Sequence, residues 1–146
     1  MASLALLVAR LTLGLSFVGH GAQKLFGWFG GAGFAATAKG YEERMGMRPG
    51  SFYAALGGGG EFLGGLLVAL GLFTPIGALL IAASMVVAIA TVTGKKGYWI
   101  SKGGWEYNAL IIAVCIALIL AGSGVYALDH VTGLDALFTR LAHLPA

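Results

Sequence analysis

Six side chains in this sequence, Arg10, His20, Lys24, Glu61, Glu106 and Asn108, are of types that could do chemistry together. Glu61 is the most demanding of them, because it stands inside an apolar, glycine-studded run at 52–73 that is long enough to cross a bilayer. A charge at the centre of a membrane helix costs about 2.5–3.5 kcal/mol on insertion scales, so an intramembrane carboxylate is a functional-site hypothesis by default. Arg10, inside the first apolar run, is the expected partner: a facing guanidinium and carboxylate reduce each other's desolvation cost, best when bidentate. His20 and Lys24 share a face at the end of that run, and Glu106, Tyr107 and Asn108 open the fourth. With Glu61 they would form a polar funnel that carries protons or hydrogen-bonds a polar ring group, since His titrates near neutral pH and buried carboxylates are raised toward it. Lys24 taken alone is also placed to snorkel to water and anchor its helix.

The elements that must position these groups follow from composition. The 146 residues are 58% hydrophobic and 10% charged, against about 45–50% and 25% in soluble domains. One domain is expected at this length. Four apolar runs, at 2–22, 52–73, 75–93 and 106–128, approach the roughly 17–25 residues that a spanning helix needs. The expectation is an all-α, four-helix transmembrane bundle in up-down-up-down order. Signal peptides place basic residues before the apolar stretch, whereas Arg10 lies within the first run, so a retained helix is expected there.

The connections sort by charge. Lys24, Lys39, Arg44, Arg48, Lys95, Lys96 and Lys102 fall on the side of the two loops, and only Arg140 lies beyond the spans on the other side. The positive-inside rule then predicts cytoplasmic loops and external termini. Trp28, Trp99, Trp105, Tyr98 and Tyr107 fall at the loop-side boundary, where an interfacial aromatic belt belongs. Within the first loop, Phe34 to Met47 has helical spacing but is too short and polar to span. The tail at 129–146 places Leu134, Leu137, Phe138 and Leu141 opposite Asp135 and Arg140. Both segments read as short interfacial amphipathic helices.

Glycines predict how the spans pack. Gly57, Gly60, Gly64, Gly65 and Gly71 surround Glu61, and small residues at such spacing let membrane helices approach closely. In the first run Arg10, Gly14, Phe17, Gly21 and Lys24 follow the alternating steps of three and four that hold one helix face.

Several chemistries lack a signature. His20, His130 and His143 are the only histidines, and the last two lie in the tail, so a bis-His haem is not expected. There is no flavin or metal motif. The single cysteine, Cys115, forms no internal disulfide and reads as a packing residue. The glycines at 57–60 lack the Lys and Ser or Thr of a phosphate loop. The net charge of +3 is accounted for by the basic loops, so nucleic acid is not an expected partner.

Taken in order, Arg10-Leu11 with Gly14, His20-Gly21 followed by Gln23 to Gly27, Gly60-Glu61 with Gly64-Gly65, Gly71 to Thr74, Gly104 to Asn108 and Tyr126 to Asp129 resemble the DoxX family of small bacterial membrane proteins. The resemblance implies a four-helix bundle in the bacterial inner membrane, an oxidoreductase label, and kinship with quinone handling, redox-stress complexes or a thiosulfate:quinone oxidoreductase subunit. Arg10, His20, Lys24, Glu61, Glu106 and Asn108 match its polar positions. None is a redox group, so electron transfer would need a bound quinone or a cofactor-bearing partner subunit. The leading expectation is a quinone-associated subunit that holds a small apolar molecule in a pocket of Arg10, His20, Glu61 and Glu106, surrounded by lipid and working with a partner subunit or further copies of itself. The rival expectations are a scaffold in which an Arg10–Glu61 pair fixes helix packing, and a proton or small-solute pathway.

Overall fold

The computed structural model describes residues 1–134; Leu137, Phe138, Arg140 and Leu141 of the expected tail helix lie outside the described residues. Among those described there are six α-helices and no strand: α1 Ala2–Leu25, α2 Gly33–Met45, α3 Gly50–Leu70, α4 Thr74–Ala88, α5 Glu106–Ala121 and α6 Leu128–Thr132. The 24 residues of α1 and the 21 of α3 rise about 36 and 32 Å at 1.5 Å per residue, enough for a hydrocarbon layer of about 30 Å. Helix α4 runs on through a π turn at Ile89–Thr93 and a 3-10 turn at Gly94–Lys96, so that Thr74–Lys96 forms a third apolar stretch of 23 residues.

The fourth element departs from the sequence reading. An apolar helix was expected across 106–128, but α5 has 16 residues and rises only about 24 Å. Gly122 and Gly124 both take φ 77°, a conformation open to glycine at no steric cost, and they turn the chain out of the helix. The segment that follows folds back to the α3–α4 turn, where the Asp129 N–H donates to the Gly71 carbonyl at 2.8 Å.

Backbone contact sets the register between α1 and α3. A Cβ built on Gly14 would lie 2.6 Å from the Gly65 carbonyl oxygen, and one on Gly21 only 2.7 Å from that of Gly58. Two antiparallel helices therefore meet main chain to main chain, as small residues permit in membranes. Helix α4 approaches the next face of α3 in the same way, with a Cβ on Gly64 reaching within 2.9 Å of the Gly77 carbonyl. Between the helices, Leu13, Phe17, Val68, Ala78, Ile81, Met85, Ile111, Cys115 and Leu118 form a buried core. Outward, Leu4, Val8, Leu15, Leu63, Leu79, Leu110 and Leu120 are exposed. That many large apolar side chains on the outside belong against lipid rather than water.

Because the neighbours of Gly14 are backbone atoms, no rotamer change can admit a side chain there. Gly14→Leu is expected to destabilise the protein by about 1–3 kcal/mol or more, the scale of overpacking, in thermal unfolding in detergent. Gly59→Ala, at a position with nothing within 4 Å, should leave the same transition unchanged or slightly raised, since Ala is the better helix former.

Candidate functional site

Glu61 sits midway along α3, 3% exposed. Its counter-charge is Lys24: Nζ lies 2.5 Å from Glu61 Oε1. Lys24 is near the end of α1, yet its side chain runs inward instead of out to the surface. The Cβ of a helical residue tilts toward the helix N-terminus, which is the inward direction here. Gly58 clears the path, since a Cβ on it would meet the side chains of Leu25 and Lys24. The second carboxylate oxygen, Oε2, is buried and has no partner among the described residues.

This ion pair forms one wall of a cavity of about 350 Å³. Helix α2 roofs it with Tyr41 and Met45, joined by Met47 beyond the helix end. The Tyr41 hydroxyl occupies the notch where Gly57 has no side chain, and its ring stacks on Tyr53 with centroids 6.4 Å apart. Two hydrogen bonds pin the roof: the Gly50 N–H donates to Glu42 Oε1 at 2.7 Å, and the Thr37 hydroxyl donates to the Lys24 carbonyl at 3.2 Å. The floor comes from α4, with Leu80, Ser84, Met85 and Val87. Asn108 stands behind that floor, donating to Met85 Sδ at 3.3 Å and accepting from the Thr93 hydroxyl at 3.0 Å.

The other sequence-derived candidates fall elsewhere. Arg10 does not face Glu61. The register that seats Gly14 on Gly65 and Gly21 on Gly58 sets Glu61 beside the Phe17–Gly21 stretch of α1, within reach of Lys24, and Arg10 beside Gly71, about two helical turns away. Arg10 is fully buried there, donating from Nη2 to the Tyr126 carbonyl at 2.8 Å, with Asp129 as the nearby opposing charge. Asp129 in turn accepts from the N–H of Phe73 at 2.7 Å and from the N–H and hydroxyl of Thr74, each at 3.0 Å. It thereby satisfies the first donors of α4 and places a negative charge at that helix N-terminus. It also holds Phe73 at φ 46°, an unusual conformation for a residue with a Cβ.

His20, expected on a face with Lys24, is exposed and packs its ring against Phe17 at 5.7 Å; it is not among the cavity-lining residues. Glu106 accepts from the Ile100 N–H at 2.9 Å and so fastens the loop before α5. The polar groups therefore divide into two clusters, Lys24–Glu61 and Arg10–Asp129, with Leu13, Phe17 and Val68 packed in the core between them. Tyr41, Met45, Met47, Tyr53 and Ser84, none of them proposed from sequence, complete the cavity. Tyr41 lies in the loop segment whose sequence pointed only to an interfacial helix, and nothing local marked Ser84.

Apolar helices long enough to span and an outward apolar surface define a multi-span helical membrane protein. The chain belongs to the DoxX family, whose model matches residues 5–94. It is also 33% identical over 123 residues to the protein named "Putative oxidoreductase CatD" of Bacillus subtilis (strain 168), an alignment covering 84% of this chain and 83% of that one. No solved structure matches the chain.

Removing one member of a buried pair strands the other's charge, at about 3–5 kcal/mol when both are fully buried. With the Lys24 side chain 34% exposed, Lys24→Met is expected to destabilise by less than that in detergent unfolding. Adding Glu61→Gln should recover most of the loss, and additive losses would refute a coupled pair.

Proposed function

We propose that the protein is a quinone-associated oxidoreductase subunit of the bacterial inner membrane that holds a small apolar or quinone-like molecule in the cavity beside Lys24 and Glu61. The observation that carries this reading is the cavity itself: about 350 Å³, walled by aliphatic, methionine and tyrosine side chains, with one partly buried ion pair, Lys24–Glu61, in its lining. Small-molecule sites commonly combine a largely apolar wall with a few converging polar groups. The name carried by the Bacillus relative supports redox work. Since neither Lys24 nor Glu61 is a redox group, electrons would pass through the bound molecule or a partner subunit. Four helices crossing up-down-up-down, α5 being the short one, with the basic loops in the cytoplasm, complete the proposal.

The scaffold reading has its own support, relocated from the pair first expected. Arg10 and Asp129 tie α1 to the α3–α4 turn and the segment after α5, a register-fixing use of buried polar groups. It is compatible with ligand binding at the other cluster.

A side chain at Gly60, which borders the cavity and whose Cβ would meet only Ser84 Oγ at 3.9 Å, would fill the space without touching backbone. Decylubiquinone titrated into the purified protein in nanodiscs should bind above the empty-nanodisc background, and Gly60→Phe should weaken it at least about tenfold, the equivalent of 1.4 kcal/mol. Binding indistinguishable between the two proteins would eliminate this cavity as the site.

A further inference from the structure

Helices α3 and α4 diverge along their length. At Gly64 they touch, since a Cβ there would lie 2.9 Å from the Gly77 carbonyl oxygen and 3.1 Å from Leu80 Cβ. One turn nearer the loop side, a Cβ on Gly60 would meet only Ser84 Oγ, at 3.9 Å. Gly60 and Ser84 both border the cavity, so the Ser84 hydroxyl faces the notch at Gly60 where the two helices separate. Resting on the reading that this cavity takes a small apolar molecule, we propose that Ser84 is a ligand-binding residue, whose hydroxyl makes the cavity favour a ring that carries an oxygen over a hydrocarbon of the same shape.

Ser84 is distinguished by a hydroxyl that the fold does not use. A serine or threonine inside a helix can turn its hydroxyl back onto the carbonyl four residues earlier. Ser16 does so onto Thr12 and Thr91 onto Val87, each at 2.7 Å. Thr91, which also lines the cavity, is therefore already committed. Ser84 has no hydrogen bond of this kind and no other side-chain partner among the described residues. Its depth removes the remaining alternative. Ser84 lies near the middle of the Thr74–Lys96 stretch, about 15 Å or more from either end at 1.5 Å per residue, where the bilayer offers no water to serve it. An unpaired hydroxyl is costly in apolar surroundings, and a ligand oxygen in the gap removes that cost. A hydroxyl both donates and accepts, so an ether, carbonyl or hydroxyl oxygen on the ring satisfies it and a methylene does not. Tyr41 and Tyr53 also carry hydroxyls in the lining, but on α2 and the first turn of α3, near the loop-side surface.

The route of entry leads to the same point. Leu56 and Val87, on α3 and α4, both border the cavity and are also exposed, at 57% and 38%. The gap therefore opens on the apolar outer surface, so a molecule dissolved in the bilayer reaches Ser84 without crossing water.

The test uses the full-length protein in nanodiscs and two probes of matched shape, 4-hexylanisole and 1-ethyl-4-hexylbenzene, followed by calorimetry with the empty-nanodisc signal subtracted. The unaltered protein should bind the anisole more tightly. Ser84→Ala should shrink the ratio of the two affinities by about 2- to 10-fold, the range set by one neutral hydrogen bond. Using a ratio cancels any change in packing that both probes feel. Since the hydroxyl holds nothing in the fold, Ser84→Ala should also unfold in detergent at an unchanged or slightly higher temperature. Gly60→Phe should lose both probes, which assigns the binding to this cavity. A ratio left unchanged by Ser84→Ala would overturn the role of Ser84 while leaving an apolar binding cavity in place. If neither probe bound the unaltered protein above the empty nanodisc, the cavity reading would fall and this inference with it.

Discussion

The contact on which everything else depends is the meeting of α1 and α3 at glycines. Gly14, Gly21, Gly58 and Gly65 bring the two backbones within the distance of a single methyl group. Such a contact has no slack: sliding one helix along the other by a turn would drive side chains such as Phe17 or Phe62 into main chain. In lipid there is no hydrophobic force between helices, and close backbone packing is a principal source of their association. The glycines thus supply both adhesion and register.

Register decides which charges meet. Once α1 is seated, Lys24 lies within reach of Glu61 and Arg10 lies beside the α3–α4 turn, where Asp129 arrives from the far end of the chain. Each buried charge has an opposing charge close by, as a low-dielectric interior requires. The two clusters nonetheless do different work. Asp129 spends its hydrogen-bonding capacity on the start of α4, and Arg10 gives one N–H to a main-chain carbonyl while its Nε and Nη1 have no hydrogen-bond partner among the described residues. Glu61 is buried in the cavity wall, where Lys24 engages Oε1 and Oε2 has no partner among the described residues. A polar group that closes a turn is structural, whereas an ion pair in a cavity wall can serve a ligand.

The first loop gains its meaning only in three dimensions. Read along the chain, α2 is a helix too short and polar to span, suited to lying at the membrane surface. In the fold, the Glu42 side chain pins it to the start of α3 and Tyr41 enters the notch at Gly57, so the same helix becomes the roof of the cavity. The bare Gly57 is as necessary to that fit as the tyrosine.

Composition, apolar run length and glycine spacing were enough, within the sequence, to establish a helical membrane protein, three of its long helices, the buried stripe on α1 and the exceptional status of Glu61. These are local properties, since the cost of a charge and the length of a helix depend on little beyond the residues themselves. The partner of Glu61 was not legible. Lys24 and Arg10 both lie on the stripe that faces α3, and only the axial offset between the helices chooses between them, an offset set by backbone atoms at glycines that carry no side-chain signature. The end of α5 was hidden for a similar reason: residues 122–128 are apolar enough to continue a helix, but Gly122 and Gly124 turn the chain so that Asp129 can cap α4. Tertiary structure decided the pairing, the cavity and the split into two polar clusters, because each depends on distances between segments far apart in the chain.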